Sequence, residues 1–258
     1  MSCIMSRRHW AVVVGCLLAS LCGAASTLGQ ESGALKVCML SGCTTYDSDT
    51  SLAEFQKYLE ANYNVTCTTV KRKAVDDLPG LEALDKCDVA LIFVRRMELK
   101  DEQLAAFKKF CESGKPIVGV RSAGHAMQTW PEMDKELWGG NYQGKGATGP
   151  ITDVTLVAEQ AKHPILAGVM PFTSAAPLYK HTPLPKEDVV LLEGKIPDQT
   201  EPIAWTRNHK DGRVFYTSLG DQADFKQDSF KKMLVNSLFW TAKKEVAPKS
   251  ATKSASSK

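Results

Sequence analysis

Six consecutive apolar residues, Val89-Ala-Leu-Ile-Phe-Val94, offer nothing to water, and a strand of that kind has to be covered on both sides. Such cover comes from helices packed on each face of a sheet, and the flanking sequence supplies them in alternation. Leu35 to Leu40 reads as an apolar strand. Ser51 to Tyr63 reads as a helix with Leu52, Phe55, Tyr58 and Leu59 at helical spacing, and Val65 to Val70 as a β-branched strand. Beyond Val94, Asp101 to Cys111 forms an amphipathic helix that stops at Ser113-Gly114, and Pro116 to Val120 is the next strand. The order predicts an α/β domain whose mostly parallel sheet carries helices on both faces, joined by right-handed crossovers.

In the second half the strands shorten, to Val154–Val157, Val189–Leu192, Ile203–Trp205 and Arg213–Ser218, ahead of a helix from Ser229 to Trp240. The Asp-Gly pair in His209-Lys-Asp-Gly-Arg213 signals a hairpin. Between Trp130 and Pro150, tryptophans and prolines mark an irregular excursion, a candidate lid or pocket wall. Its Gly144-Lys-Gly-Ala-Thr-Gly149 matches the glycine pattern of dinucleotide sites, but a polar loop precedes it and Pro150 with a strand comes after. A pyrophosphate needs the strand before and the helix N-terminus after, so nucleotide binding is not expected.

The first thirty residues stand apart from the fold. Arg7 and Arg8 precede an apolar run from Ala11 to Ala25 that ends in small residues, which is the layout of a secretory signal peptide and is short for a membrane span. We therefore expect an exported protein, periplasmic or extracellular, with an uncleaved anchor as the alternative. Removing Arg7 and Arg8 lowers the formal net charge from +3 to +1, which gives no electrostatic case for nucleic acid. Residues 34–243 form the expected domain, and residues 244–258, rich in Lys, Ser and Ala without periodicity, read as a disordered tail. Five cysteines remain, Cys38, Cys43, Cys67, Cys87 and Cys111; they resemble neither a disulfide framework nor a zinc site, and most are expected to be buried. The sequence names no cofactor and no metal.

Chemistry is expected where the strand 116–120 ends, in Arg121-Ser-Ala-Gly-His125. Small residues let the backbone turn sharply there and present side chains at the carboxyl edge of the sheet, where open α/β folds bind ligands. Ser122 either acts as a nucleophile with His125 as base or caps the following helix. Loop residues 43–50, with Tyr46, should reach the same edge. Tyr142, Tyr179, Trp205 and Tyr216 offer aromatic faces of the kind sugar rings stack on, Trp205 and Tyr216 being expected in the core and Tyr179 with Lys180 at the ligand. His181 and His209 lie in polar loop contexts. Asp224 is assigned to capping the last helix.

His163-Pro-Ile-Leu-Ala-Gly-Val169, Leu178-Tyr179, Glu201-Pro-Ile-Ala-Trp205 and Gly212-Arg-Val-Phe-Tyr-Thr-Ser-Leu-Gly220, with a terminal helix ending in Leu-Phe-Trp240, resemble the trehalose-utilisation (ThuA-like) family from about Leu35 to Lys243. The resemblance implies a fold similar to the class I glutamine amidotransferases, with a flavodoxin-like, doubly wound sheet and an elbow after a central strand. Amidotransferases place a nucleophilic Cys before x-Gly-His at that elbow, and Ser122-Ala-Gly-His125 looks similar with Ser in its place. ThuA-like proteins generally lack the Cys and its triad and are linked to sugar metabolism. The resemblance also marks departures: Asp221, and by approximate alignment Lys145, occupy places where the family usually carries His. The sequence-based expectation is a small-molecule ligand, a carbohydrate or derivative, in a pocket of Tyr46, Arg121, Tyr142, Lys145, Tyr179 and Lys180, with Ser122, His125 and Asp221 as catalytic candidates. The alternatives are a binding module without chemistry and a hydrolase using Ser122.

Overall fold

A computed structural model describes residues 33–146 and 151–249. The proposed signal segment 1–30, residues 147–149 of the glycine motif and the end of the tail, 250–258, lie outside the described residues.

Nine strands form one sheet: β1 (Leu35–Gly42), β2 (Val65–Lys71), β3 (Val89–Val94), β4 (Ile117–Val120), β5 (Thr152–Leu156), β6 (Phe172–Ser174), β7 (Val189–Ile196), β8 (Gln199–His209) and β9 (Gly212–Thr217). The helices are α1 (Ser48–Asn62), α2 (Ala83–Lys86), α3 (Asp101–Glu112) and α4 (Asp228–Thr241). Across the sheet the order is β2-β1-β3-β4-β9-β8-β7-β5-β6. The first five strands pair in parallel, and from β9 onward every pairing is antiparallel. The sheet is therefore mixed, which corrects the expectation of a mostly parallel one. The reason is local. No crossover helix separates β7, β8 and β9, so the two-residue turns Pro197-Asp198 and Lys210-Asp211 return the chain antiparallel to itself, the second being the hairpin that Asp-Gly signalled.

Cover on both faces is observed. Leu52, Phe55 and Leu59 of α1 share one apolar layer with Phe230, Met233 and Leu234 of α4. Leu84 of α2 and Phe107, Phe110 and Cys111 of α3 share the other. All six residues of β3 are fully buried between the layers. Asp47, with φ of 44°, caps α1 by accepting from the Thr50 amide at 3.2 Å. The five cysteines are free thiols, three of them buried.

Residues 244–249, which the composition assigned to the tail, are held against the end of α1. The Asn64 amide donates to the Ala247 carbonyl at 2.9 Å, and the Lys249 amide to Asn62 at 2.8 Å. No helix among the described residues is long and apolar enough to cross a membrane.

The excursion after β4 is pinned rather than loose. Trp138 donates its indole N–H to the Ala123 carbonyl at 2.8 Å and accepts at its own carbonyl the indole N–H of Trp205, at 2.7 Å. Its ring fills the space above Gly119, where a Cβ would stand 2.7 Å away. On the far side Arg207 reaches buried Asp188 at 3.5 Å and donates to the Lys135 carbonyl at 3.2 Å. The walls of the cleft beside the elbow are thus built on the sheet itself.

Candidate functional site

Strands β1, β3, β4 and β9 end at Gly42, Val94, Val120 and Thr217, so the loops that leave them converge at one edge, as the alternation requires. The sharpest turn is at Arg121, whose φ of 53° is left-handed and strained for a non-glycine residue. It is Arg121, and not Ser122, that occupies the strained position of the elbow.

The Arg121 side chain is 1% exposed. Its guanidinium donates to the Ser218 carbonyl, to the Pro177 carbonyl at 2.9 Å and to the Tyr46 hydroxyl at 3.1 Å. It lies 3.9 Å from the centroid of the Tyr179 ring and 4.6 Å from that of Tyr46. Nε has no hydrogen-bond partner, and none of the ion pairs among the described residues includes Arg121.

Ser122 is fully buried, and its hydroxyl donates to the Val94 carbonyl at 3.0 Å. That bond fastens the elbow to β3 and engages the hydroxyl with a carbonyl and not a base, which counts against the nucleophile expected at Ser122. Among the described residues no hydrogen bond joins Ser122 to His125.

His125 stacks instead on Tyr142, with centroids 4.4 Å apart and planes 19° from parallel. Burial holds its imidazole neutral, down to about 3, and the charges of Arg95, Arg96 and Arg121 add to the effect. Its Nδ1 is buried without a partner. Tyr179 closes the aromatic group, 4.9 Å from Tyr142 and 5.8 Å from His125. Tyr179 is buried, its hydroxyl 3.2 Å from that of Tyr46, and burial raises its phenol well above the usual range. It supports the site from beneath and is not open at the surface.

The open space is beside this group: a cleft of about 320 Å³ lined by His125, Gln128, Trp130, Asp134, Asn141 and Tyr142, among others. Asp134 was not among the residues singled out from sequence. It begins a single π turn over Asp134–Trp138, a rare geometry that often marks functional positions. One carboxylate oxygen accepts the Tyr142 amide at 2.7 Å, while Oδ1 is buried with no partner. Burial raises Asp134 to about 6, with the Tyr142 amide pulling the other way. The carboxylate fits because Gly124 and Gly140 flank it: a Cβ on Gly124 would come within 3.0 Å of Oδ1, and one on Gly140 closer still. The Trp138-Gly-Gly140 sequence was the available signal, since paired glycines mark close backbone approach.

The other expected residues are distributed differently. Lys145 and Lys180 are exposed and belong to a short rim ladder, in which Lys145 bridges Tyr179 and the Gln143 amide donates to the Lys180 carbonyl. Asp221 accepts the amide of Ala223, two residues on, at 3.0 Å, and among the described residues no hydrogen bond joins it to His125 or Tyr142. Asp224 is buried and accepts the amides of Gly220 and Asp221 at 2.9 and 3.0 Å, so it caps the turn after β9 and not the last helix. Trp205 and Tyr216 are core, as expected; the Tyr216 hydroxyl donates to the Arg121 carbonyl at 2.6 Å. His163 is structural, its Nδ1 accepting the Ile165 amide. Among the described residues no group of three or more His, Cys, Asp or Glu converges to hold a metal ion.

His181 lies in no polar loop environment. It is fully buried, with both ring nitrogens unpartnered, among Tyr142, Tyr179, Trp205 and Tyr216. Burial lowers it to about 3, helped by His125 and Arg121. A folded-state value below the unfolded 6.5 means that the unfolded chain takes up the proton first. The stability His181 contributes as a neutral ring is present above pH 6.5 and is lost as pH falls toward 3. We expect His181→Phe to gain about 1–2 kcal/mol on the wild type between pH 6.5 and 5. Paired urea titrations at the two pH values check this; a constant difference between the proteins would refute it.

The family model for trehalose utilisation, ThuA, matches residues 36–241. No curated protein matches the chain. Among solved structures, a ThuA-like protein from Bacteroides uniformis is 22% identical with a TM-score of 0.61, covering 80% of this chain and 91% of that one. A ThuA-like protein from Parabacteroides merdae is 14% identical with a TM-score of 0.64, covering 85% and 94%. The carbohydrate deacetylase Agd3 is 10% identical with a TM-score of 0.55; the match covers 81% of this chain but only 32% of that protein. At these identities the structural likenesses are of fold.

Proposed function

We infer that this chain, which belongs to the ThuA (trehalose utilisation) family, binds a carbohydrate or carbohydrate derivative in the cleft between the β4 elbow and the pinned excursion. The carrying observation is Asp134, a half-buried carboxyl with one oxygen already engaged and the other buried without a partner, at the wall of an open cleft. A buried polar atom without a partner is costly, and a sugar hydroxyl supplies both a donor and an acceptor to it. The stacked His125–Tyr142 pair gives the flat apolar surface that the C–H face of a sugar ring covers, and Asn141 adds an amide at the rim. The family's link to trehalose utilisation supports the same ligand class, as does a carbohydrate deacetylase among the proteins of similar fold.

A second reading, chemistry on the bound sugar, is favoured by the protonation of Asp134. A carboxyl raised to about 6 serves as either proton donor or acceptor near neutral pH, and a neutral His125 stands on the same cleft. Asp134 and His125, not Ser122, are then the groups positioned to move a proton. Export on residues 1–30 and a flavodoxin-like ancestry remain parts of our proposal. The former is supported by the charge and apolar pattern of the segment, the latter by the parallel order β2-β1-β3-β4-β9.

Calorimetric titration with trehalose, glucose and oxidised sugars, with product analysis on each binder, tests the reading. Asp134→Asn is expected to weaken binding at least tenfold without lowering Tm at pH 8. Above its raised pKa the native carboxylate is an under-solvated charge, which the isosteric amide removes. Binding unaffected by Asp134→Asn, or no binding by any sugar, would overturn the proposal.

A further inference from the structure

Arg95 and Arg96 leave the carboxyl end of β3 directly against the elbow. The Arg95 amide donates to Gly42 at 3.2 Å, the Arg96 amide to the His125 carbonyl at 3.1 Å, and Met97 to Ala126 at 2.6 Å. The two guanidiniums are therefore carried on the segment paired with His125 and Ala126, behind the cleft lining, and their charges act on both His125 and Tyr142. Arg96 is exposed and Arg95 half-buried. Among the described residues neither makes a side-chain hydrogen bond, and the ion pairs include neither of them. Arg96 holds a left-handed φ of 48°, a strained conformation that orders the loop in this position.

Arg121 adds a third positive charge behind the aromatic group, buried, uncompensated and with Nε unpartnered. Besides burial, Arg121 helps hold both nearby imidazoles neutral, and Arg95 and Arg96 do the same for His125. Among the described residues the only carboxyl lining the cleft is Asp134, next to Lys135. The cleft thus offers stacking and hydrogen-bonding groups, and beside it Arg95 and Arg96 carry charges that no ion pair among the described residues neutralises. Guanidiniums in this situation recognise carboxylate and phosphate through paired N–H donors.

Resting on the carbohydrate reading, we propose that the ligand is an acidic sugar, its ring on the His125–Tyr142 face and its anionic group on Arg95 and Arg96. Arg121 supplies the positive field beneath. The anionic group is a carboxylate or a phosphate ester, and the two call for the same donors.

The test is calorimetric titration of the full chain with glucose, glucuronate and glucose 6-phosphate, with acetate and inorganic phosphate as sugar-free anions. At least one acidic sugar is expected to bind tenfold or more tighter than glucose, and the tighter of the two identifies the anionic group. In the Arg95→Gln/Arg96→Gln double variant the ratio of acidic to neutral affinity is expected to fall to within about twofold. In the wild type that ratio should shrink as salt rises from 0.05 to 0.5 M, through screening. Glucose bound as tightly as the acidic sugars would overturn this inference and leave the carbohydrate reading standing. So would a ratio that the double variant does not move. Acetate or phosphate bound as tightly as the acidic sugars would also overturn it, because the ring would then contribute nothing. Silence from every sugar would overturn both.

Discussion

Trp138→Ala is expected to destabilise the protein by about 3–5 kcal/mol and, on the proposed carbohydrate reading, to abolish sugar binding with it. The ring is fully buried, in contact with Gly119 beneath it and 5.6 Å from the Tyr216 ring. Truncation opens a cavity over β4 that the stiff parallel strand cannot collapse to fill. It also takes from the Ala123 carbonyl, in the middle of the elbow, its shorter hydrogen bond and leaves it only the Ala126 amide at 3.3 Å. The π turn that begins at Asp134 ends at Trp138, so loss of this anchor frees the segment that carries the carboxyl. Trp138→Phe separates the contributions: it keeps most of the apolar contact, loses the hydrogen bond, and should cost about 1–2 kcal/mol. Urea unfolding measures both. A Trp138→Ala protein within 1 kcal/mol of the wild type would mean that the excursion is not held through this residue.

The parallel half of the fold was legible because each element carried its own signal. A short unbroken apolar run rich in β-branched residues and bounded by charges fits a two-sided strand, and β3 spans the expected residues 89–94; the helices at α1 and α3 are marked by 3.6-residue spacing. The antiparallel half was legible in position but not in extent. β8 runs from Gln199 to His209, far beyond the apolar Ile203–Trp205 that marked it. Its outer residues are polar or exposed, and their strand conformation comes from pairing with β7 and β9 and not from their own propensity. β6, three residues long, owes its existence to β5 alone.

At the site, sequence located the elbow and most of the aromatic group but not the surroundings of each side chain. Ser122 resembles a nucleophile because Ala123, Gly124 and His125 come directly after it, yet the backbone turns one residue earlier, at Arg121, and this directs the Ser122 hydroxyl into the Val94 carbonyl. His181 looked solvated because its neighbours Lys180 and Thr182 are polar; only the folded sheet shows Trp205 and Tyr216 packed on its ring. Asp134 was invisible because its placement depends on a contact eight residues away, made possible by a π turn and two glycines. Such a placement leaves no periodic trace.

Arg121→Lys is expected to cost about 3 kcal/mol, although it preserves the charge. The guanidinium ties three separate stretches of chain together: the end of β9 through Ser218, the approach to Tyr179 through Pro177, and the loop after β1 through Tyr46. A planar fork reaches all three while lying against the Tyr46 and Tyr179 rings; a compact ammonium on a single-point stem cannot do both. At least one acceptor is left bare, at about 1–3 kcal/mol, and the stacking contribution falls as well. The lysine also buries a more strongly hydrated cation in a place with no carboxylate to meet it. Arg121→Met, which orphans the same acceptors but buries no charge, is expected to lose less than Arg121→Lys. That order, measured by urea unfolding at pH 7, separates geometry from charge. If the lysine protein were the more stable, the positive charge itself would be what holds the three stretches together, and the fork geometry would be incidental.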